Sequence, residues 1–241
     1  MFRFGGDILG PTRGAWIREV WASTIGKKFI VAVTGVILAG FVVVHALGNF
    51  KIFQGDDGAH LDEYAHWLRT VGSPAIPHEG VLWTLRVVLL VALVVHVVGV
   101  VQLTARNRAA RPAGTPGAPR RVGSFEARTM LIGGGLLLAF VVFHVLQFTT
   151  RTIHPTPLHE GAVYSNMVGA FNEWWITLIY VVAVVILGMH MRHALWSIFQ
   201  TFGYARPNRN PTIGRGATAV AVGVTLGFAA VPILIFVGAI G

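Results

Sequence analysis

Residues 80–105 read GVLWTLRVVLLVALVVHVVGVVQLTA, an apolar run broken only by Arg86, His96 and a few small polar residues. A run this long exceeds the ~20 residues that an α-helix needs to cross a bilayer. It therefore reads as a membrane span. The same reading applies to about 29–52, 127–150, 172–202 and 215–240. The expected fold is an all-α membrane protein: residues 1–241 form one domain, a bundle of five transmembrane helices.

Composition agrees. Of the 241 residues, 54% are apolar and 12% charged, against about 25% charged in a soluble domain. There is no cysteine. Disulfides, thiolate metal sites and an iron–sulfur cluster ligated by this chain alone are therefore excluded, since even a Rieske centre needs two cysteines. The formal charge of +9 does not point to nucleic acid, because the basic residues follow the ends of the spans. The first 22 residues lack an apolar signal-peptide core and are interrupted by Arg3, Asp7, Arg13, Arg18 and Glu19, so the first helix is expected to be retained.

Lysine and arginine set the orientation. They collect in the N-terminal segment (Arg3, Arg13, Arg18, Lys27, Lys28), in the second connection (Arg106, Arg108, Arg111, Arg120, Arg121, Arg128) and in the fourth (Arg206, Arg209, Arg215). The first and third connections hold Lys51, Arg69 and Arg151 together with most of the acids. The N-terminus is expected in the cytoplasm and the C-terminus outside, in an inner (cytoplasmic) membrane. Segment 106–122, rich in Pro, Gly and Arg, reads as a linker. Leu61, Tyr64, Ala65, Leu68 and Val71 predict a short amphipathic helix on the outer surface. The third connection, with Pro155 and Pro157, reads as an irregular cap.

Four of the spans each carry a histidine: His45, His96, His144 and His190. An ionisable side chain at membrane depth marks a functional site by default. His45 lies 17 residues beyond Lys28 and His144 16 beyond Arg128, both roughly 25 Å from the inner ends. His96 precedes Asn107 by 11 residues and His190 precedes Gly203 by 13, roughly 15 and 20 Å from the inner side. The depths pair His45 with His144 and His96 with His190. Two imidazoles on facing helices suit a six-coordinate haem iron. Zinc wants a third or fourth ligand at one level, and a proton path wants acids deep in the spans, where none of the ten lies. Gly35, Gly40, Gly133, Gly134, Gly135 and Gly188 stand where a macrocycle needs room or where helices pack. His193 shares a face with His190 and by depth is as good a partner for His96. His60, His66, His78, His154 and His159 read as surface histidines.

The stretch Ser23-Thr-Ile-Gly-Lys-Lys-Phe, with Thr34-Gly35 and His45-Ala-Leu-Gly48-Asn49, resembles the first helix of the five-helix, two-haem cytochrome b subunit of succinate dehydrogenase and fumarate reductase. His190-Met-Arg-His-Ala-Leu-Trp-Ser-Ile-Phe-Gln-Thr-Phe-Gly203 resembles that family's fourth helix, and Arg86, His96, Asn107-Arg108 and His144 fit its second and third. The resemblance implies that His45 and His144 hold one haem b and His96 and His190 the other. The family's ligand precedes a glycine-type position by four residues; that position is Ala194 here, which selects His190 over His193. The resemblance also implies a flavoprotein and an iron–sulfur subunit on the cytoplasmic side, and quinone as electron donor or acceptor. Fumarate reductases of the family can carry a proton-transferring glutamate near the place of Gly188, where this chain has no acid. This leans toward succinate oxidation and leaves fumarate reduction open.

Trp21, Ser23, Lys27 and His193 are candidates for a quinone site near the cytoplasmic face; Arg86, with Trp83 and Arg151, suits a distal site or haem propionates. Two other readings stay open. One is a structural anchor without haem. The other is a cytochrome b subunit of a different membrane dehydrogenase, such as hydrogenase or formate dehydrogenase.

Overall fold

The structure, a computed structural model, describes residues 15–110, 125–157, 159, 161–204 and 210–241. All the regular structure there is helical, in eight α-helices: α1 (Ala15–Ala22), α2 (Thr24–Asn49), α3 (Ala59–Thr70), α4 (Gly80–Ala109), α5 (Phe125–His144), α6 (Val163–Phe171), α7 (Trp174–Thr201) and α8 (Pro211–Phe236). Five of them, α2, α4, α5, α7 and α8, are long and apolar enough to cross a membrane. Arg3, Asp7, Arg13, Arg111, Arg120, Arg121, Glu160, Arg206, Arg209 and most of the expected linker lie outside the described residues, as does the side chain of Arg128.

Helix α7 is the central element. Ile176, Tyr180, Val184, Gly188 and Met191 recur at four- and three-residue steps, so they form one buried face. That face meets α8, while α5 and α2 pack on its flanks. Helix α4 packs on α2. The four histidine-bearing helices are thus joined through α2 and α7, with α4 and α5 at the edges. Elsewhere the spans expose apolar side chains: Val87, Leu90, Val91, Val94, Val98 and Val101 form an exposed stripe along α4. Such an outward apolar face suits lipid and not water. Trp67, Trp83, Trp174 and Trp175 are exposed at one end of the bundle, the position of an interfacial aromatic belt.

Three departures from the sequence reading have physical causes. Helix α4 continues through Arg106 and Arg108 to Ala109, so the linker starts later than residue 106; Arg106 Nη1 donates to the Ala22 carbonyl (2.8 Å) and ties this last turn to α1. The third connection is irregular only up to Ala162. Helix α6 follows, because Met167 and Phe171 find a buried cluster with Leu61, Ile176 and Tyr180. The expected amphipathic helix is α3, but its Leu61 is buried in that protein cluster rather than facing lipid. Asp62 accepts from the Tyr164 backbone N–H (2.9 Å) and fastens α3 to α6. Together α3 and α6 cap one end of the bundle.

Candidate functional site: two layers of histidines

His45 and His144 come together with ring centroids 5.9 Å apart and planes at 73°. Phe41, one turn before His45 on α2, stacks on it at 5.4 Å and 10°, and Phe228 of α8 lies 5.6 Å away. Phe140, Phe148 and Tyr180 surround His144 at 5.7–6.0 Å. The His144 Nδ1 is 3.0 Å from the Tyr180 hydroxyl, which in turn donates to Gln147 Oε1 at 2.8 Å.

His96 is held from α2. Its Nδ1 lies 3.2 Å from the Val31 carbonyl and 3.2 Å from Thr34 Oγ1. The Thr34 hydroxyl donates back to the Ile30 carbonyl (2.8 Å), and a carbonyl can only accept. The Nδ1 therefore carries the proton, and the lone pair is on Nε2. This is the tautomer of a metal-ligating histidine whose other nitrogen is hydrogen-bonded. His190 lies within electrostatic range of both His96 and His193. Its Nδ1 is buried with no hydrogen-bond partner among the described residues.

The glycines place these pairs in two layers. A Cβ added at Gly35 would lie 3.4 Å from His96, and one at Gly134 would lie 3.6 Å from His190. His45 stands ten residues beyond Gly35 on α2, and His144 ten beyond Gly134 on α5. Both helices thus separate the layers by roughly 15 Å. Gly40 and Gly135 face open space. Gly188 has a different role: a Cβ there would collide with Thr225 Oγ1 of α8, so it is a helix-packing glycine. Among the described residues no group of three or more metal-binding side chains gathers. His45 and His144 face each other as a pair, and His96 and His190 lie at one level beside Gly35 and Gly134; two imidazoles at a level suit a haem iron rather than tetrahedral zinc.

Trp21, Ser23 and Lys27 meet at the turn between α1 and α2. Lys27 is 3% exposed, with its ammonium 5.4 Å from the Trp21 ring centroid. Ser23 caps α2: its Oγ accepts from the Gly26 N–H (2.8 Å) and donates to the Val20 carbonyl (3.1 Å). That hydroxyl is engaged by the backbone, while the Trp21–Lys27 pair is built from side chains. Trp21 also lines an apolar groove with Trp16, Ile17, Phe29 and Ile30. Arg86 lies at the opposite end of the bundle. Its guanidinium covers Trp83 at 4.9 Å and reaches Glu79 at 4.0 Å, and Glu79 also pairs with Arg69 at 3.4 Å. The charge partner that Arg86 needs is a carboxylate seven residues back, on the same face. His154 is half-buried rather than a surface group: its Nδ1 lies 3.0 Å from the Thr156 carbonyl and its Nε2 3.0 Å from that of Asn166, bracing the third connection. A scan against protein-family models, a search of curated proteins and a search of solved structures each returned no match for the chain.

Proposed function

We propose that the chain is the di-haem cytochrome b membrane anchor of a succinate:quinone oxidoreductase, oriented with its basic end in the cytoplasm. The observation that carries this reading is the two-layer arrangement of histidines on four membrane-length helices, one layer about 15 Å beyond the other. The donor set fits haem: His45 and His144 would hold one group, His96 and His190 the other. When bound, haem supplies an iron that takes up and releases one electron at a time.

The residues of the chain orient and shield these positions. The Val31 carbonyl and Thr34 fix the His96 ring. Phe41, Phe140, Phe148 and Phe228 surround the other layer with apolar rings and keep water from it. At the basic end, the buried Lys27 beside Trp21 gives a cation next to an apolar groove, a setting suited to a quinone carbonyl and ring. The same end carries Lys28, Arg106 and Arg108, which suit docking of an iron–sulfur and a flavoprotein subunit.

The test is a reduced-minus-oxidised spectrum with haem quantitation on purified, folded protein made with haem available. Two b haems per chain are expected, with succinate-reducible absorbance when the partner subunits co-purify. A haem-free protein would sink the relay and leave a structural anchor. Co-purification with hydrogenase or formate dehydrogenase subunits would assign the chain to that other complex.

A further inference from the structure

Around His144 the hydrogen bonds run in one direction. With the Gln147 amide oxygen turned to Tyr180 and its Nε2 buried without a hydrogen-bond partner among the described residues, the Tyr180 hydroxyl gives its one proton to Oε1 (2.8 Å), so towards His144 Nδ1 (3.0 Å) its oxygen can only accept. We propose that Tyr180 and Gln147 are positioning residues that hold His144 as the Nδ1–H tautomer, with the Nε2 lone pair available to a metal. This rests on the haem reading for its purpose, but not for its geometry.

Local structure supports the relay. Immediately after His144 the helix widens into a π turn over Val145–Thr149, closed by the Thr150 N–H donating to the Val145 carbonyl (2.9 Å). Such turns cost regular helix bonding and recur at functional sites. Gln147 lies within this turn and is fully buried, at 0% exposure. The Tyr180 ring is held independently of its hydroxyl by Phe140, Phe143, Phe148 and Phe171, with centroids at 4.9–6.2 Å. Removing the hydroxyl therefore leaves the packing in place. A ring nitrogen that donates to an acceptor makes the opposite nitrogen a stronger donor to iron, which favours the ferric state and lowers the potential.

Two measurements test the relay. In 15N-histidine-labelled protein, as purified and reduced, His144 should show a protonated Nδ1 and no proton on Nε2, and protein depleted of haem should keep the same form with no metal to impose it. A proton on Nε2 would overturn the proposal, since the Gln147 amide would then face Tyr180 with its nitrogen and the chain would run backwards. This reading needs no variant, and it can be made even if the protein contains no haem. A haem-free protein with the Nδ1–H form would therefore sink the haem reading and leave the relay standing.

The second measurement is the pair of haem midpoint potentials in Tyr180→Phe, Gln147→Met and Gln147→Glu. The first two should raise one potential, that of the haem lost in His45→Ala, and leave the other unchanged. Gln147→Glu keeps an acceptor oxygen for Tyr180 and should not raise it. Unmoved potentials in all three, or the same upward shift in all three, would reduce Tyr180 and Gln147 to packing and overturn the proposal.

Discussion

A single imidazole at membrane depth has many uses, but four at two matched depths have few. His45 and His144 meet ring to ring, whereas His190 and His193 compete for one role within a single turn of α7. Its glycine neighbour Gly134, where an added Cβ would lie 3.6 Å from the His190 ring, distinguishes it. His45→Ala and His144→Ala should each lower haem content from two to one per chain and remove the same spectral component. His96→Ala and His190→Ala should each remove the other component, and His193→Ala should leave both in place. Haem quantitation and low-temperature spectra of the five variants check this; loss of a haem in His193→Ala with both retained in His190→Ala would reverse the assignment. These histidines are legible in the sequence because an ionisable group stands out against hydrocarbon. Tyr180 and Gln147 are not. A tyrosine is unremarkable in a span and a glutamine is neutral, and their link to His144 exists only once α5 packs on α7 and the π turn forms.

Among the elements, the five spans are legible because a bilayer demands some twenty apolar residues of each. Helix α3 is legible from the spacing of Leu61, Tyr64 and Leu68. Helix α6 is short, follows two prolines and packs on Leu61, far away in sequence, as well as on Ile176 and Tyr180 of the next helix, so its own sequence does not announce it. Helix α1 is about as short, and its apolar face of Trp16, Ile17, Val20 and Trp21 spans only two turns, too few to stand out beside the charged residues around it. The glycines show the same limit, since Gly134 and Gly188 look alike in sequence. Gly134 lies by a histidine and Gly188 lies under Thr225 of α8. Gly188→Ala should therefore cost about 1–3 kcal/mol by overpacking α7 against α8, and Thr225→Ala in the same chain should restore most of it. Thermal unfolding in detergent of the single and double variants checks this. An additive double variant would mean that the two residues do not share the contact.

For the molecule as a whole, orientation decides whether the proposed function is workable. The end formed by α1, the start of α2 and the end of α4 gathers Arg18, Lys27, Lys28, Arg106 and Arg108. At the other end Arg69 and Arg86 are both held by Glu79, and Asp57, Asp62, Glu63 and Glu173 lie nearby in the connections. Basic residues close to span ends stay on the cytoplasmic side, so α2 should run outward and the His45–His144 layer should lie nearer the outside. The chain lacks cysteine, so any single cysteine introduced is the only thiol of the chain. Ala109 and His159 are both exposed, one at the inner end of α4 and the other in the third connection. A membrane-impermeant maleimide should label His159→Cys in intact cells, and Ala109→Cys only after the membrane is opened. The opposite pattern would put the basic face, Lys27 and Trp21 outside the cell. A cytoplasmic dehydrogenase would then meet the acidic end and the His45–His144 layer first, and the arrangement proposed for electron entry, quinone and docking would fail together.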